Sequence, residues 1–534
     1  MTTLLPYPIF LALAVLVLLF VIKGKLTARA KLLPFPPGPA GVPIIGNLLD
    51  IPSENQYLTF SKWKATYGPI IGLKILGKPI VILNSRESIE DLLAKRGAIY
   101  SDRPHLHVMS KLGGWNWTLP FLPYNEEFNL QRKLFNMCLG PTAMPRWHSM
   151  LKDEALDAAF QLLKHQDSPQ KVTHRYRFIS QLLPFPHFKS CRWSGASIMM
   201  AAYGHKVAED RDEYVEMIDN LMNELAKLGN AGSHPIDVMP QLAALPLWIW
   251  GSKFKNSVTK QSELMGKILV KPFTDTKSIQ ERGIANRSML SVLLEQNRQE
   301  DGFIENERAI KAVTGTAYIA GSDIMAAHFD TFILAMMTYP EVQKKAQDAL
   351  DSVLHGERLP EIEDRAAVPY LEALLSEIFR WKPIGPLAIP HRLTEDDEYN
   401  GYFIPAGTQI IANLWHCLMN DHDFPEPSVF RPERFIEGEK LQSQCFEVQE
   451  LAFGIGRRVC PGKYFASSAL WLTISVILTL FDISKAIDEN GKTIDPDLQY
   501  DHGTLSCHAR TYRCRLTPRS GPLVQLYMGE REQS

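Results

Sequence analysis

The chain has 534 residues, a formal net charge of -2 and 45% hydrophobic residues. That length accommodates two average domains, or one large enzyme domain with a sizeable core. The near-neutral charge argues against a nucleic-acid binder, which normally carries a basic face. The 7 cysteines are scattered without a C-x-x-C pair, so the sequence indicates a reducing compartment and no disulfide framework.

An apolar run lies near the N-terminus. Residues 4–22 are almost wholly apolar and precede four cations: Lys23, Lys25, Arg29 and Lys31. The run is long enough to cross a bilayer, and the basic flank on its C-terminal side predicts that the body of the protein stays in the cytosol. A cleaved signal peptide is the alternative, but charge before the run and a small-residue cleavage site are both missing. We therefore expect an uncleaved transmembrane anchor over residues 4–22.

A basic and proline-rich hinge follows over residues 23–50. Residues 33–39 read Leu-Pro-Phe-Pro-Pro-Gly-Pro, which cannot form a helix because each proline lacks a backbone N–H. We assign residues 51–534 to one large domain. Its first part predicts a β-hairpin, with short β-type runs over residues 70–75 and 79–83. From Glu87 the apolar spacing becomes helical and remains so, with loops, to Phe379.

Two segments in this helical part stand apart. Residues 178–191 form an apolar, proline-broken piece that is either a surface loop or an artefact of how the coding sequence was assembled. Residues 246–250 read Pro-Leu-Trp-Ile-Trp. This short run is either a core strand or a loop that enters the membrane interface, where tryptophan is favoured.

A glycine-rich turn places one cysteine directly before an apolar helical run. The turn reads Phe-Gly-Ile-Gly-Arg-Arg-Val-Cys-Pro-Gly over residues 453–462, and the helical run extends from Lys463 to Leu480. A thiolate at Cys460 would be stabilised by the positive end of the helix dipole and by unpaired backbone N–H groups. Pro461 suits the first helical turn, where its missing N–H costs nothing.

The neighbours of Cys460 suit a large flat ligand. Arg458 offers a partner for a carboxylate on that ligand, and Phe453 would shield the sulfur from water. Side-chain bulk is absent at three positions, which lets the backbone lie close to the ligand: Gly454, Gly456 and Gly462. A single thiolate in such a setting indicates a soft metal ion, and haem iron ligated by cysteine is the obvious candidate. The alternative is an ordinary buried cysteine beside a basic turn.

This stretch resembles the haem-binding loop of the cytochrome P450 superfamily, F-x-x-G-x-R-x-C-x-G, with every fixed position filled. The resemblance implies haem b with Cys460 as the axial metal ligand. It also implies a mainly α fold with small β-sheets, in which a single large haem-thiolate monooxygenase domain follows one N-terminal transmembrane helix. Residues 101–104 and 390–397 are most similar to fungal secondary-metabolism members of the O-methylsterigmatocystin oxidoreductase type.

The resemblance also assigns a structural role to three charged residues. Glu377 and Arg380 lie one helical turn apart, and Arg434 follows within the segment 430–435. Taken alone, such residues form an ordinary surface ion pair. The resemblance implies that Glu377, Arg380 and Arg434 form a buried charge network that braces the haem-binding loop.

Haem propionates need cationic or donor partners. The resemblance implies Arg132 and Arg458 for this role, together with one of His391 or Arg392. The family usually has W-R-x-x-R before the first arginine, whereas residues 128–132 read Phe-Asn-Leu-Gln-Arg. An indole donor and one cation are therefore missing, and we expect haem retention to depend more strongly on Arg132 and Arg458.

The central helix departs from the family pattern. Residues 320–325 read Ala-Gly-Ser-Asp-Ile-Met and resemble the family's A-G-x-D-T-T, with Ile324 in place of a threonine. The resemblance implies that Gly321 permits the local widening for dioxygen and that Asp323 relays protons. The threonine hydroxyl that assists oxygen activation is absent, and isoleucine can donate nothing. Ser322 is the nearest replacement, but its position on the helix points it elsewhere.

The expected substrate pocket is lined by residues 105–124, 384–389 and 504–505. Its aromatic side chains suit a neutral, lipophilic substrate and are, in chain order, Trp115, Trp117, Phe121 and Tyr124. The alternative is that these aromatic rings belong to the core.

We interpret the chain as a haem-thiolate monooxygenase anchored in the endoplasmic reticulum, acting on a lipophilic secondary metabolite such as a terpenoid, polyketide or alkaloid. Electrons are expected from NADPH through a separate reductase, which would meet Lys133, Arg457 and Lys463. A second hypothesis keeps the haem but not the oxygenation, as an isomerase, a dehydratase or a poorly coupled enzyme. A third is a haem-binding membrane protein without turnover. No nucleic-acid partner is expected.

Overall fold

The computed structural model describes residues 33–52, 54–164, 188–208, 211–228, 234–238, 240–438, 440–502, 506–510, 512–525 and 527. The anchor expected over residues 4–22 lies outside these ranges. So do most of the segment 178–191 and the pocket residues 504–505.

Helices make up most of the described chain, as the sequence predicts. In chain order they are α1 (Gln56–Tyr67), α2 (Arg86–Ile89), α3 (Gly97–Tyr100), α4 (Glu126–Leu139), α5 (His148–Lys164), α6 (Phe188–Tyr203), α7 (Glu213–Ala226), α8 (Pro235–Val238), α9 (Ser252–Glu281), α10 (Met289–Gln296), α11 (Glu307–Thr338), α12 (Pro340–Leu354), α13 (Pro369–Trp381), α14 (Leu414–Met419), α15 (Ser443–Ala452) and α16 (Lys463–Leu480). Local chemistry fixes several of their starts. The Asn125 side chain accepts from the backbone N–H of Phe128 at α4, and Asp212 caps α7 in the same way.

The strands are short and form small sheets. They are β1 (Ile70–Ile75), β2 (Lys78–Leu83), β3 (His391–Arg392), β4 (Asp397–Tyr399), β5 (Tyr402–Ile404), β6 (Gln409–Ala412), β7 (Ile436–Glu437), β8 (Lys440–Leu441), β9 (Phe481–Lys485), β10 (Tyr500–His502), β11 (Cys507–Ala509) and β12 (Cys514–Pro518). One sheet has the order β1-β2-β6-β3, and four two-stranded sheets pair β10 with β11, β12 with β9, β4 with β5, and β7 with β8. The predicted mainly α fold with small β-sheets is confirmed.

The predicted hairpin near the start of the domain is also confirmed. Strands β1 and β2 pair antiparallel, with Ile70 opposite Leu83 and Ile75 opposite Lys78. The two residues between the strands, Leu76 and Gly77, have φ angles of 47° and 79°. Positive φ at both positions of a two-residue loop matches the twist of the flanking strands, which explains why the chain reverses here.

Two long apolar helices form the centre of the core. Helix α11 is buried along most of its 32 residues, and α16 is buried from Phe465 onward with few exceptions. Both are long and apolar enough to span a bilayer, but 78% and 83% of their most apolar windows are buried inside the protein. A helix that is apolar on all sides belongs in the interior, so these two are core helices that position the site.

The tryptophan run at residues 246–250 is not a core strand. Residues Leu247–Trp250 form a single 3₁₀ turn whose side chains are not fully buried. Trp248 is 69% exposed and Ile249 is 46% exposed, because the turn lies on the surface before α9 begins. The core-strand interpretation is therefore wrong.

Candidate functional site

The cysteine loop folds back on itself immediately before α16. The backbone N–H of Cys460 donates to the carbonyl of Phe453 at 2.8 Å, which closes the loop. Gly456 has a φ of +73°, and a Cβ there would collide with the carbonyl oxygen of Leu93. Only glycine satisfies both conditions. The loop is thereby held against the segment that precedes α3, with Cys460 just before the first turn of α16.

The sulfur of Cys460 sits in a mixed environment. Burial raises the pKa of the Cys460 thiol, whereas a hydrogen bond from the backbone of Gly462 and the charges of Arg132 and Lys463 act in the opposite direction. Four other cysteines are fully buried: Cys138, Cys417, Cys445 and Cys507. Among the cysteines whose side chains are described, Cys460 therefore combines accessibility with a backbone donor and nearby cations, which are the conditions for a thiolate.

Two of the predicted propionate partners lie beside this loop. A guanidinium N–H of Arg132 donates to the carbonyl of Val459, next to Cys460. Arg458 donates to the carbonyls of Ser101 and Leu122 at 2.7 and 2.8 Å. Burial lowers the pKa of Arg458 to about 10, so the side chain remains a cation at neutral pH.

Arg458 also stacks on the residue that replaces the family's tryptophan. Its guanidinium carbon lies 3.9 Å from the ring centroid of Phe128. A cation over an aromatic face is held by the ring quadrupole. Phe128 cannot donate a hydrogen bond as an indole would, but it packs against the cation that flanks Cys460.

The structure distinguishes between His391 and Arg392. Successive residues of a strand point to opposite faces, and these two form the whole of β3. His391 is buried and its Nδ1 donates to the carbonyl of Tyr100 at 2.8 Å. Burial, together with the charges of Arg103 and Arg458, lowers the pKa of His391. Arg392 turns outward instead.

Arg392, the other residue of this pair, is engaged by a neighbouring carboxylate instead. Its Nε donates to Oδ2 of Asp102 at 2.9 Å, and its guanidinium forms a salt bridge with that carboxylate. Because this ion pair occupies the Arg392 head group, His391 is the better candidate of the two. Sequence reasoning could not choose between them without the register of β3.

Arg103 is a buried cation that the sequence interpretation did not single out. It donates to the carbonyls of Pro120 and Ile389 at 2.8 and 2.6 Å, and it also reaches the carbonyl of Pro390. These bonds tie the segment after α3 to the strand that carries His391. The Ser-Asp-Arg-Pro motif over residues 101–104 contained this residue, and its arginine was the available signal.

The three charged residues of the predicted network come together. Glu377 accepts from Nε of Arg380 at 2.7 Å and from Nε of Arg434 at 3.1 Å. The backbone N–H of Arg431 donates to the same carboxylate at 2.8 Å. The side chains of Glu377 and Arg380 are 0% exposed. This network fixes the end of α13 to the 3₁₀ turn Pro432–Phe435.

Helix α11 has one accessible window in its otherwise buried middle. Along this fully described helix, Ala320 is exposed, and Gly321, Asp323 and Ile324 are half-buried between fully buried turns. We call residues 320–324 the α11 window. Its apolar members Ala320 and Ile324 are one helical turn apart and therefore share a face.

Gly321 lies against α6, and Ser322 turns into the interior, as its helix position predicts. A Cβ on Gly321 would lie 2.7 Å from Cγ1 of Ile198, so the missing side chain lets α6 approach α11 closely. Ser322 is buried, and its hydroxyl donates to the carbonyl of Tyr318 at 2.8 Å. That hydroxyl is consumed within the helix and does not replace the missing threonine.

Asp323 is held by two residues that the sequence interpretation missed. The Ser506 hydroxyl donates to Oδ2 of Asp323 at 2.7 Å, and Nε2 of His508 lies 3.2 Å from the same oxygen. Both come from β11 or its first flanking residue, far away in sequence. A third group, Asp219 of α7, has its pKa raised to about 7 by burial and by the nearby charge of Asp323.

A series of aromatic rings connects the cysteine loop to the α11 window. Phe453 and Phe379 have ring centroids 5.3 Å apart, and Phe379 and His328 are 4.8 Å apart. Nδ1 of His328 donates to the carbonyl of Ile324 at 2.9 Å. Burial lowers the pKa of His328 to about 4, so this ring is neutral. The loop and the window therefore belong to one packed site.

Most of the aromatic side chains expected to line the pocket belong to the core. Trp115, Trp117 and Phe121 are buried, and Trp115 packs edge-on against Phe121 with centroids 5.7 Å apart. A Cβ on Gly315 would lie 3.0 Å from the Trp117 ring, so that ring packs directly on α11. Tyr124 is half-buried and accepts from Arg457 at 2.8 Å. Of the four rings, Trp117 is held directly against α11.

A surface hollow lies beside Cys460 on the side of α4. Its volume is about 340 Å³, and it is lined mainly by the ends of α4 and α16 and by the cysteine loop. Arg132, Cys460, Lys463 and Tyr464 are among its lining residues. The hollow brings the surroundings of the thiol within reach of a partner in solution.

The donor set fits a haem group. One accessible thiol accepts a backbone hydrogen bond, the cations Arg132 and Arg458 flank it, and His391 lies near Arg458. The α11 window supplies an apolar wall joined to the loop through packed rings. A single cysteine ligand with cationic propionate partners is the arrangement that a haem-thiolate cofactor requires.

The comparisons with known proteins agree with this fit. The family model described as Cytochrome P450 matches residues 36–507. Cytochrome P450 monooxygenase COX2 of Coprinopsis cinerea is 34% identical over 94% of this chain and 92% of its own length. Cytochrome P450 monooxygenase claR of Ampulloclitocybe clavipes is 34% identical over 96% of this chain and 91% of its own. Cytochrome P450 monooxygenase ple1 of Rhodocybe pseudopiperita is 34% identical over 91% and 90%. The chain therefore belongs to the cytochrome P450 family and is a haem-thiolate monooxygenase.

Proposed function

We propose that this protein inserts one oxygen atom from O₂ into a lipophilic small molecule of fungal secondary metabolism, with electrons from NADPH through a separate reductase. The observation that carries the proposal is the α11 window, in which Ala320 and Ile324 share an apolar face and the carbonyl of Ile324 joins the ring path to the Cys460 loop through His328. An apolar wall favours a lipophilic substrate. The carboxylate of Asp323 lies in the same window, where it can hold a proton.

The chain's own residues have distinct tasks in this reaction. Cys460 would hold the iron, and the Gly462 N–H with the nearby cations acts against burial, which raises the pKa of the thiol. Arg132, Arg458 and His391 would hold the propionates. When bound, haem with an axial thiolate supplies the electron density that favours O–O cleavage. The Asp323 carboxylate accepts a hydrogen bond from Ser506 at Oδ2 beside the apolar wall, where it can take up and release a proton.

Electron delivery is proposed at the basic surface around the 340 Å³ hollow. Lys133 and Arg457 are exposed, and Lys463 lines the hollow beside Cys460. An acidic reductase face would be steered toward this surface by opposite charge, and screening by salt should slow the association.

Membrane attachment is proposed through residues 4–22 in the endoplasmic reticulum, with the catalytic domain in the cytosol. Exposed apolar side chains support a second contact with the bilayer. Trp248 is 69% exposed, and Ile44 and Leu49 are 80% and 76% exposed. The segment with Ile44 and Leu49 contacts strand β1 through a bridge between Gly46 and Ile75. The adjacent strand β2 contacts α8, which precedes the Trp248 turn, because Lys78 Nζ donates to the carbonyl of Asp237. Tryptophan and aliphatic side chains in such a patch favour the interface.

The test uses full-length protein in membranes with NADPH-cytochrome reductase under heavy-isotope dioxygen. A pool of lipophilic terpenoids, polyketides and alkaloids is supplied, and products are analysed by mass. We expect one heavy oxygen atom per product, dependent on NADPH and reductase and absent in Cys460→Ser. Products without heavy oxygen from the whole pool, despite a normal ferrous carbon-monoxide band, would refute oxygenation.

A second function is favoured by one specific observation. Ile324 offers no hydroxyl to the window, and the hydroxyl of Ser322 is consumed by the carbonyl of Tyr318. The corresponding candidate is a haem-thiolate isomerase or dehydratase that needs no reductase. Substrate conversion in the absence of NADPH and reductase, with no heavy oxygen in the product, would identify it.

A further inference from the structure

Three side chains beside the α11 window form a directed chain of hydrogen bonds. Ser506 Oγ donates to Oδ2 of Asp323 at 2.7 Å and lies 2.9 Å from Nε2 of His508. A hydroxyl has one proton, and Ser506 gives it to the carboxylate. Nε2 therefore carries the proton shared between His508 and Ser506. The order of donors runs from imidazole to hydroxyl to carboxylate, and Nε2 also lies 3.2 Å from Oδ2 of Asp323, so the imidazole reaches the carboxylate directly as well.

The hairpin that carries Ser506 and His508 is fixed to α11 by other contacts. Tyr500 Oη and Thr331 Oγ1 are 2.7 Å apart, and Tyr512 Oη donates to Asp330 at 2.7 Å. The backbone N–H of Cys507 donates to the carbonyl of Ile384 at 2.9 Å. Because these contacts do not involve Asp323, the position of the hairpin does not depend on the Ser506–His508 chain. The chain is available to act on Asp323 without holding the fold together.

We propose that Ser506 and His508 are positioning residues that aim Asp323 at the α11 window and return a proton to it, in place of the hydroxyl missing at Ile324. This inference rests on the proposed oxygenation. Asp323 releases its proton toward the window and becomes a carboxylate. Ser506 then gives its proton to Oδ2 and takes one from Nε2 of His508. One proton has moved from imidazole to carboxylate, the hydroxyl is unchanged, and solvent returns a proton to His508.

The electrostatic surroundings suit this role. Burial by itself disfavours a charged imidazole, but the Asp323 carboxylate raises the pKa of His508 above its ordinary value. The other titratable groups that act on the pair come from α11, β10 and α7: Asp330, His328, Asp501 and Asp219. Asp330 and Asp501 favour the protonated imidazole of His508, and the charge of His508 in turn helps to lower the pKa of His328. The balance of these effects shifts His508 toward its protonated form.

The first arm of the test measures product formed per NADPH consumed, with hydrogen peroxide, across pH. His508→Gln and Ser506→Ala are compared with Tyr500→Phe, which removes a hydroxyl from the same hairpin away from Asp323. We expect His508→Gln to lower the ratio about 10-fold, which is less than the roughly 10²–10⁴-fold of direct acid–base assistance because His508 acts through Asp323. In the wild type the ratio should fall as pH rises through the His508 pKa. In His508→Gln that pH dependence should vanish, and Tyr500→Phe should retain it.

The second arm measures thermal unfolding of the full chain and needs no turnover. A folded-state pKa above the ordinary 6.5 means that the charged His508 pair stabilises the fold fully below that value. The contribution is lost as pH rises through the raised pKa. The melting temperature of the wild type should therefore exceed that of His508→Gln by more at about pH 6 than at about pH 9. In Asp323→Asn this pH-dependent difference should disappear.

The outcomes separate the possibilities. An unchanged ratio and pH profile in both His508→Gln and Ser506→Ala would overturn the inference. An equal loss in Tyr500→Phe would also overturn it, because the effect would then be structural. A stability difference that does not depend on pH would show that Asp323 and His508 do not form the charged pair that the inference requires. Failure of the proposed function looks different, since the wild type itself would then incorporate no heavy oxygen.

Discussion

Replacement of Glu377 by glutamine tests the buried charge network. The carboxylate accepts from Arg380 at 2.7 and 2.8 Å, from Arg434 at 3.1 Å and from the Arg431 backbone at 2.8 Å. Both its oxygens are therefore in use, and neither the Glu377 nor the Arg380 side chain is exposed. Glutamine keeps the shape but loses the charge, and it turns an NH₂ group toward an arginine donor.

The magnitude follows from the burial of Arg380. Removing one partner of a buried ion pair leaves an uncompensated charge and costs about 3–5 kcal/mol. Arg380 also donates to the carbonyls of Leu418 and Pro427, which remain in the variant. These bonds place the expected loss at the lower end, about 3 kcal/mol of unfolding free energy. That is a large part of the ~5–15 kcal/mol by which proteins are stable, so the haem-loaded fraction should fall as well.

The assay is denaturant unfolding, with the ferrous carbon-monoxide band as a second readout of intact haem ligation. The matched control is Lys345→Gln, which breaks the pair of Lys345 with Glu433 at the surface, where Lys345 is 56% exposed. Exposed pairs contribute about 0–1 kcal/mol. If Glu377→Gln loses no more stability than Lys345→Gln, the buried network does not support the fold as argued.

Three further predictions follow from the site. Cys460→Ser should abolish the red-shifted Soret band of the ferrous carbon-monoxide complex, and an unchanged band would place the thiolate elsewhere. Ile324→Thr should raise the product-to-NADPH ratio of His508→Gln, in which the Ser506–His508 chain is interrupted, once folding and haem content are verified; a ratio that the second substitution leaves unaltered would contradict this. Deletion of residues 1–31 should make much of the protein extractable without detergent, although the exposed Trp248 turn retains some affinity; secretion of the wild-type chain would contradict the anchor.

Local patterns predicted those parts of the site that neighbours in sequence determine. The turn over residues 453–462 needs a thiol, glycines and a following helix, and all of these are adjacent in the chain. The hairpin of β1 and β2 likewise depends on a two-residue turn and on apolar runs beside it. Glu377 and Arg380 share one helical turn, so their contact follows from helix geometry.

Contacts across long stretches of chain could not be predicted in this way. Asp323 and Ser506 are 183 residues apart. The spacing of apolar residues along a helix does not predict which residue beside a distant strand, here β11, will contact that helix. The choice between His391 and Arg392 depends on which face of β3 points inward, and a two-residue strand carries too little pattern to reveal it. Trp117 is an aromatic residue of the kind that lines pockets, but its ring packs against Gly315 of α11, where a glycine leaves room for it.

The same reasoning explains how an isoleucine fits at position 324. A hydroxyl on the helix at this point would compete for backbone carbonyls, as the hydroxyl of Ser322 does with Tyr318. The carbonyl of Ile324 is already engaged by His328, which links the helix to the rings beneath the cysteine loop. A hydroxyl delivered from the hairpin by Ser506 reaches the Asp323 carboxylate without disturbing that helix turn. The hydroxyl group can therefore come from the β10–β11 hairpin, while α11 keeps an apolar surface toward the substrate.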